Sequence, residues 1–241
     1  MSTSRIGVLL ASLCVTAAIN AQSMFRGDAT HSGRYAGPAP RQFHRVKWKF
    51  PTGDRVISSP VFKDNVIYFG GDDGNVYAVD AATGRQIWKR ATNGPVPATP
   101  AIADGKVFFA TSDSSLYHVV DANSGKSVVR QQGKAYMFSS PAIVGDVVFI
   151  GVLNGTLEAR DAKTGELLWD FQVGTSKQNK RWVLTADRTF NVPLLYHSNW
   201  REAPLVANDQ QIRIGGIFSS PLVANGVVYF GSADGFLYAL E

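Results

Sequence analysis

The apolar positions of this chain gather into short β-branched and aromatic runs bounded by Asp, Asn and Gly, the pattern of strands joined by tight turns. In one stretch Val61-Phe62 leads through Lys63-Asp64-Asn65 to Val66-Ile67-Tyr68-Phe69-Gly70. A second turn, Asp72-Asp73-Gly74-Asn75, then opens the alternating run Val76-Tyr77-Ala78-Val79. Near the other end Leu222-Val223, Asn225-Gly226, Val227 to Gly231, Asp234-Gly235 and Phe236 to Leu240 repeat the same grammar. Asn-Gly and Asp-Gly between apolar runs mark hairpins, because these residues tolerate the positive φ that such turns require. Each stretch therefore predicts an antiparallel meander.

Four such units align. They open on Ser58-Ser59-Pro60, Ala98-Thr99-Pro100, Ser139-Ser140-Pro141 and Ser219-Ser220-Pro221, with the prolines 40, 41 and 80 residues apart. A further strand follows the turns that begin at Asp80, Asp121 and Asp161: Gln86 to Lys89, Ser127 to Arg130, and Leu167 to Asp170. The fourth unit shows no such strand before Glu241, whereas Val46-Lys47-Trp48-Lys49-Phe50 has its form and precedes the first unit. The expectation is an all-β β-propeller of four-stranded antiparallel blades, closed by that N-terminal strand pairing with Phe236 to Leu240, which would leave no open sheet edge. Four blades are expected, or five if the stretch 177–215 folds as a blade of its own. Two chains exchanging their N-terminal strands would instead give an eight-bladed ring, so both a monomer and a strand-exchanged homodimer fit the pattern.

Composition narrows the class. Of 241 residues 45% are hydrophobic and 18% charged, which suits a globular protein. Arg5 followed by the apolar run Ile6 to Ile19 reads as a signal peptide, residues 1–21, cleaved near Ala21. Periplasmic or secreted localisation follows, with residues 22–43 as an extended lead-in and 44–241 as the propeller. Cys14 is the one cysteine, and Leu13 before it does not suit a lipid-anchor site; the mature chain then holds no thiol for disulfides, metal or nucleophilic catalysis. The net charge of +5 is modest and its lysines and arginines are scattered, which argues against nucleic acid as a partner.

Two segments carry a more specific signature: Ala78-x-Asp80-x-x-Thr83-Gly84-Arg85-x-x-Trp88 and Ala159-x-Asp161-x-x-Thr164-Gly165-Glu166-x-x-Trp169. They resemble the tryptophan-docking repeat of the pyrroloquinoline-quinone (PQQ-like) propellers, over about residues 44–176 and 216–241, with Val129 in the tryptophan's place in the second unit. The resemblance implies that Trp48, Trp88 and Trp169 pack between neighbouring blades. The family includes quinone-dependent alcohol and sugar dehydrogenases, the propeller scaffold of the outer-membrane β-barrel assembly machine, and exported proteins that bind no quinone. The dehydrogenases have eight blades, a calcium ion and a catalytic aspartate; eight units of forty need roughly 320 residues, more than this chain has. No cofactor, catalytic residue or metal ligand is therefore expected, and PQQ with calcium remains the rival reading.

The residue-level chemistry agrees with a scaffold. Asp72, Asp73, Asp113 and Asp234 each occupy the same hairpin turn of their own unit, where aspartate caps the turn. His31, His44, His118 and His197 never fall at metal-binding spacing. Arg26-Gly27-Asp28 matches an adhesion tripeptide too short to weigh and belongs to the lead-in. The departure from the repeat is the insertion 177–215, where Arg181, Trp182, Trp200 and Arg201 mix aromatics with arginine as protein-contact surfaces do. The expected function is an exported, non-enzymatic propeller that binds a protein or cell-envelope partner through those four residues.

Overall fold

Each repeat unit folds as a meander because its turns can take up positive φ. A computed structural model describes residues 23–34, 40–112, 114–173 and 216–241. Blade 1 comprises β1 (Val61–Lys63), β2 (Val66–Gly71), β3 (Asn75–Asp80) and β4 (Gln86–Ala91), hydrogen-bonded in that order. Blade 2 repeats it with β5 (Ala101–Ala103), β6 (Lys106–Ala110), β7 (Leu116–Asp121) and β8 (Ser127–Gln132), and blade 3 with β9 (Ala142–Val144), β10 (Val147–Gly151), β11 (Thr156–Asp161) and β12 (Leu167–Gln172). Blade 4 has three strands, β13 (Leu222–Ala224), β14 (Val227–Gly231) and β15 (Leu237–Leu240). All pairs are antiparallel, and the chain is all-β as expected. The first hairpin of blade 1 turns on Asp64 and Asn65 at φ 49° and 61°, a type I′ pair that matches the twist of the strands it joins.

Hydroxyls at the start of the inner strands, two in blades 1, 3 and 4 and Thr99 alone in blade 2, set the blades side by side. Within blade 1, Ser58 Oγ donates to the Gly70 carbonyl and accepts from its N–H, both at 2.8 Å, tying the inner strand's start to the end of β2. Ser219 does the same at Gly231. The next residue reaches sideways: Ser59 N–H donates to Thr99 Oγ1, Thr99 N–H to Ser140 Oγ, and Ser140 N–H to Ser220 Oγ. The recurring Ser-Ser-Pro is thus a two-way staple, one hydroxyl for the blade and one for its neighbour.

The outer strands supply the second contact between blades. Asp80 Oδ1 accepts from the N–H and hydroxyl of Thr83, shaping a turn that leaves the Ala81 carbonyl bare and places Gly84 at φ 73°. Trp48 lies on that turn and donates its indole N–H to Ala81 O at 3.1 Å; a Cβ on Gly84 would stand 2.7 Å from the indole. Trp88 repeats the contact on blade 2, donating to Ala122 O at 2.8 Å over Gly125. Glycine is needed twice over, for the left-handed φ and for the room. Val129 occupies the same position over Gly165, and here a buried pair fills in: Arg160 bonds Glu158 through Nε at 2.8 Å and donates to Gly165 O and Gln132 O. Trp169 meets Phe149 of its own blade and is 42% exposed.

The lead-in folds across the inner strands. Ser23 exchanges backbone hydrogen bonds with Ile102 of β5, and its hydroxyl donates to Phe62 O of β1. Met24 is buried, and Ala29 O accepts from Val223 N–H of β13. Blades 1, 2 and 4 thus share one strap.

One expectation fails within a single chain. Val46 to Phe50 does not pair with β15, and the ring is not closed by it. The segment instead sits on the rear of blade 1, where Phe50 meets Phe69 and Tyr77 edge-on as Phe171 meets Phe230 and Tyr238 further round. The reason is angular: docking to the next blade and pairing with β15 can both hold only where blade 4 stands directly behind blade 1. Blade 4's outer face shows that it does not, with Leu237 78% exposed while its counterparts Val76, Tyr117 and Leu157 are fully buried.

Trp88→Ala is expected to cost about 3–5 kcal/mol, the range for truncating a large buried aromatic, whereas Trp169→Ala should cost under about 1 kcal/mol. Urea unfolding separates them, and equal losses would contradict the docking role. His118 makes the second test: it is buried on β7, stacks on Phe109 at 4.9 Å, and burial, with Arg130 and Arg90 adding to it, pushes its pKa down to about 4. The unfolded imidazole takes up a proton near pH 6.5 while the folded one resists until about 4, so this stabilisation is complete above 6.5 and fades as pH falls towards 4. The loss should be on the order of 3 kcal/mol, and His118→Phe should flatten that part of the pH–stability curve.

Candidate partner-binding surface

The turns between second and third strands and the connections between blades lie on one face of the arc. Two connections are minimal. Thr92 N–H donates to Gly74 O and Ser112 N–H to Pro95 O, so Asn93-Gly94 alone joins blade 1 to blade 2. Gly133 N–H donates to Ser115 O and Leu153 N–H to Tyr136 O, leaving Lys134-Ala135 between blades 2 and 3. The same two anchors recur at Val173 N–H to Gly155 O and Ala233 N–H to Gly216 O, but here residues 174–215 stand between them. Ile217 packs on Gly151 and Ser140 N–H reaches Ser220 Oγ, so blades 3 and 4 are direct neighbours. The long connection therefore leaves and returns where two residues suffice elsewhere. Arg181, Trp182, Trp200 and Arg201 lie in it, outside the described residues.

Around these roots the polar groups are committed to structure. Arg55 pairs with the buried Asp72 at 3.0 Å, and Lys134 Nζ with Asp170 at 2.5 Å. Asp73 accepts from Gly53 N–H and Tyr77 O–H; burial pushes its pKa up, but these bonds and those from Asn75 outweigh it and hold it low. Asp234 accepts from Tyr238 O–H in the same way. On the opposite face Asp80, Asp121 and Asp161 are held below the usual carboxylate range by Thr83, Ser124 and the Thr164 and Lys163 amides. In the lead-in, the Ser32 and Thr30 hydroxyls hold Asp28 down to about 2. The capping role read from the sequence for the turn aspartates describes Asp73 and Asp234; Asp113 lies outside the described residues.

Among the described residues no three His, Cys, Asp or Glu side chains converge to hold a metal ion. His31 packs edge-on against Phe25, His44 is exposed and His118 is stacked in the core, so these three stay apart. A cleft of about 320 Å³ opens between blades 1 and 2, lined by Lys63, Asp64, Tyr68, Asp104 and Asn123. Sequence reasoning passed over the Glu158–Arg160 pair; its signal was two charges at alternate positions of a strand whose equivalents, Tyr77 and Val79, are uncharged.

Comparison with known proteins agrees with this architecture. A profile of the family described as outer membrane protein assembly factor BamB matches residues 40–241. The chain is 27% identical over 138 residues to the assembly factor BamB of Burkholderia pseudomallei, covering 57% of this chain and 35% of that one. It is 35% identical over 103 residues to methanol dehydrogenase subunit 1 of Methylorubrum extorquens, covering 39% and 16%. The crystal structure of BamB from Moraxella catarrhalis superposes with a TM-score of 0.58 at 22% identity, over 80% of this chain and 49% of that one. The chain thus spans about half, or less, of these relatives' lengths. With the profile match running from the first docking strand to the last blade, this chain belongs to the BamB family of outer membrane protein assembly factors.

Proposed function

We propose that the protein is an exported, non-enzymatic propeller that binds a protein partner at the periplasmic side of the cell envelope, as a scaffold in outer-membrane protein assembly. The observation that carries this reading is the connection 174–215, which replaces a two-residue linker on an otherwise regular face and concentrates Arg181, Trp182, Trp200 and Arg201. Propellers vary their loops over a rigid ring, and arginine with tryptophan is the composition of binding hot spots. Membership of the assembly-factor family supports the same reading. The family resemblance that includes quinoprotein dehydrogenases supports a second one, a quinone-binding ring, through stretches such as that shared with methanol dehydrogenase.

Immobilised protein should capture the periplasmic part of the outer-membrane β-barrel assembly machine. Replacing Arg181, Trp182, Trp200 and Arg201 by alanine should cut that capture at least about tenfold, the effect of losing one hot-spot residue, with an unchanged melting temperature. Undiminished capture would remove the insertion as the contact surface. Titration with pyrroloquinoline quinone and calcium should give no saturable absorbance change; saturable binding would favour the quinone reading instead.

A further inference from the structure

One position of the blade is built around a carboxylate in blades 1, 3 and 4 and around two arginines in blade 2. It lies on the third strand, where Tyr77, His118, Glu158 and Tyr238 stand in the same register, opposite Phe69, Phe109, Ile150 and Phe230 of the second strand. In blades 1 and 4 the tyrosine stacks on its phenylalanine and donates its hydroxyl to an aspartate of the preceding turn, Asp73 or Asp234. In blade 3 the side chain is itself a carboxylate, and Glu158 accepts from Lys134 N–H and from Arg160. Blade 2 keeps the stack, His118 on Phe109 at 4.9 Å, but has Ser114 where Asp73 and Asp234 stand, with its hydroxyl bonded to Thr111. Asp113 aligns with Asp72 and not with those two carboxylates. His118 is 6% exposed, and no hydrogen bond reaches its Nε2 among the described residues.

Two guanidiniums flank this imidazole. Arg130 is the cross-strand partner of His118, so both side chains leave the same face of blade 2. Arg90 comes from the outer strand of blade 1, two residues beyond Trp88, and alternation puts it on the side of the strand from which Trp88 docks on blade 2. Phe50 and Phe171, each two residues beyond a tryptophan of its own segment, cover Tyr77 and Tyr238 from the equivalent place. Arg90 and Arg130 are both exposed, and neither has an acidic partner among the described residues. Together with burial they keep the imidazole uncharged at neutral pH. A neutral imidazole still donates from one nitrogen, so the junction offers two planar cations at the surface and one ring N–H behind them. That donor set suits a carboxylate, whose two oxygens guanidinium groups bind in-plane.

We propose that the junction of blades 1 and 2 binds a carboxylate group from outside the fold, held by Arg90 and Arg130 with His118 Nε2–H donating from the inner side. A glutamate or aspartate side chain of an acidic peptide and a free small carboxylate share this chemistry. The site uses only the described blades and is independent of the surface at 174–215.

With the full chain labelled with nitrogen-15, the His118 ring signals should shift saturably as acetate replaces chloride at pH 7 and constant ionic strength, while those of His31 and His44 stay in place. A drift that does not saturate, or equal shifts at all three histidines, would overturn the proposal. A hexaglutamate peptide that gives the same shift at a concentration lower by about tenfold or more assigns the site to an acidic peptide; one no better than acetate assigns it to a free small carboxylate. Arg90→Gln combined with Arg130→Gln should abolish the shift with the circular dichroism unchanged, and a shift that survives the pair also overturns the site. Ser114→Asp supplies the group from the turn that supplies it in blades 1 and 4. It should weaken acetate binding and raise the melting temperature by about 2–4 °C, the size of one charge-assisted contact in a chain of this length. A lowered melting temperature with acetate binding intact would mean that no carboxylate fits beside His118, and counts against the proposal.

Discussion

A bare carbonyl beside a bare glycine is the constraint on which this architecture turns. The turns Asp80-x-x-Thr83-Gly84 and Asp121-x-x-Ser124-Gly125 exist because the aspartate draws its own backbone and the following hydroxyl inward, leaving Ala81 O and Ala122 O with no strand partner and a glycine in each turn. An indole satisfies the carbonyl and covers the glycine in one stroke, as Trp48 does on blade 1 and Trp88 on blade 2. Acidity, backbone conformation and packing at these turns are one device. Where the indole is absent at Val129, the Arg160 guanidinium bonds Gly165 O, a different carbonyl of the same turn, and pairs with Glu158 in the interior at the expense of burying two charges.

Much of this was legible in the residues. Proline spacing marked the four described blades, Asn-Gly and Asp-Gly marked the hairpins, and the Ser-Ser-Pro tripeptides marked inner-strand starts; all of these are local rules of the repeat. The role of the second serine was less visible, because a hydroxyl that bonds the same blade and one that bonds the next look alike in a sequence. Ser58 Oγ bonds Gly70 of its own blade, whereas Thr99 Oγ1 and Ser140 Oγ each accept from a backbone N–H of the adjoining blade.

Closure was the part that local rules could not reach. Hydrophobic alternation says that a strand wants a neighbour, but which neighbour it meets depends on the rotation from blade to blade, which no single unit encodes. The expectation that Val46 to Phe50 pairs with β15 had the grammar of a docking segment right and its sheet partner wrong, since Trp48 lies on the turn of blade 1 and β15 pairs, among the described residues, with β14 alone. Arg181, Trp182, Trp200 and Arg201 were singled out because the stretch that holds them breaks the forty-residue period, and they lie outside the described residues.

The strap formed by Ser23 to Ala29 imposes an order of events. Its bonds to Ile102 and Phe62 can form once two blades exist, but its bond to Val223 joins positions separated by nearly the whole chain. Contacts of such high sequence separation form late, after the intervening loop entropy has been overcome. The strap therefore anchors at Ser23 as soon as blades 1 and 2 stand, while its Ala29 end stays loose until β13 of blade 4 has formed.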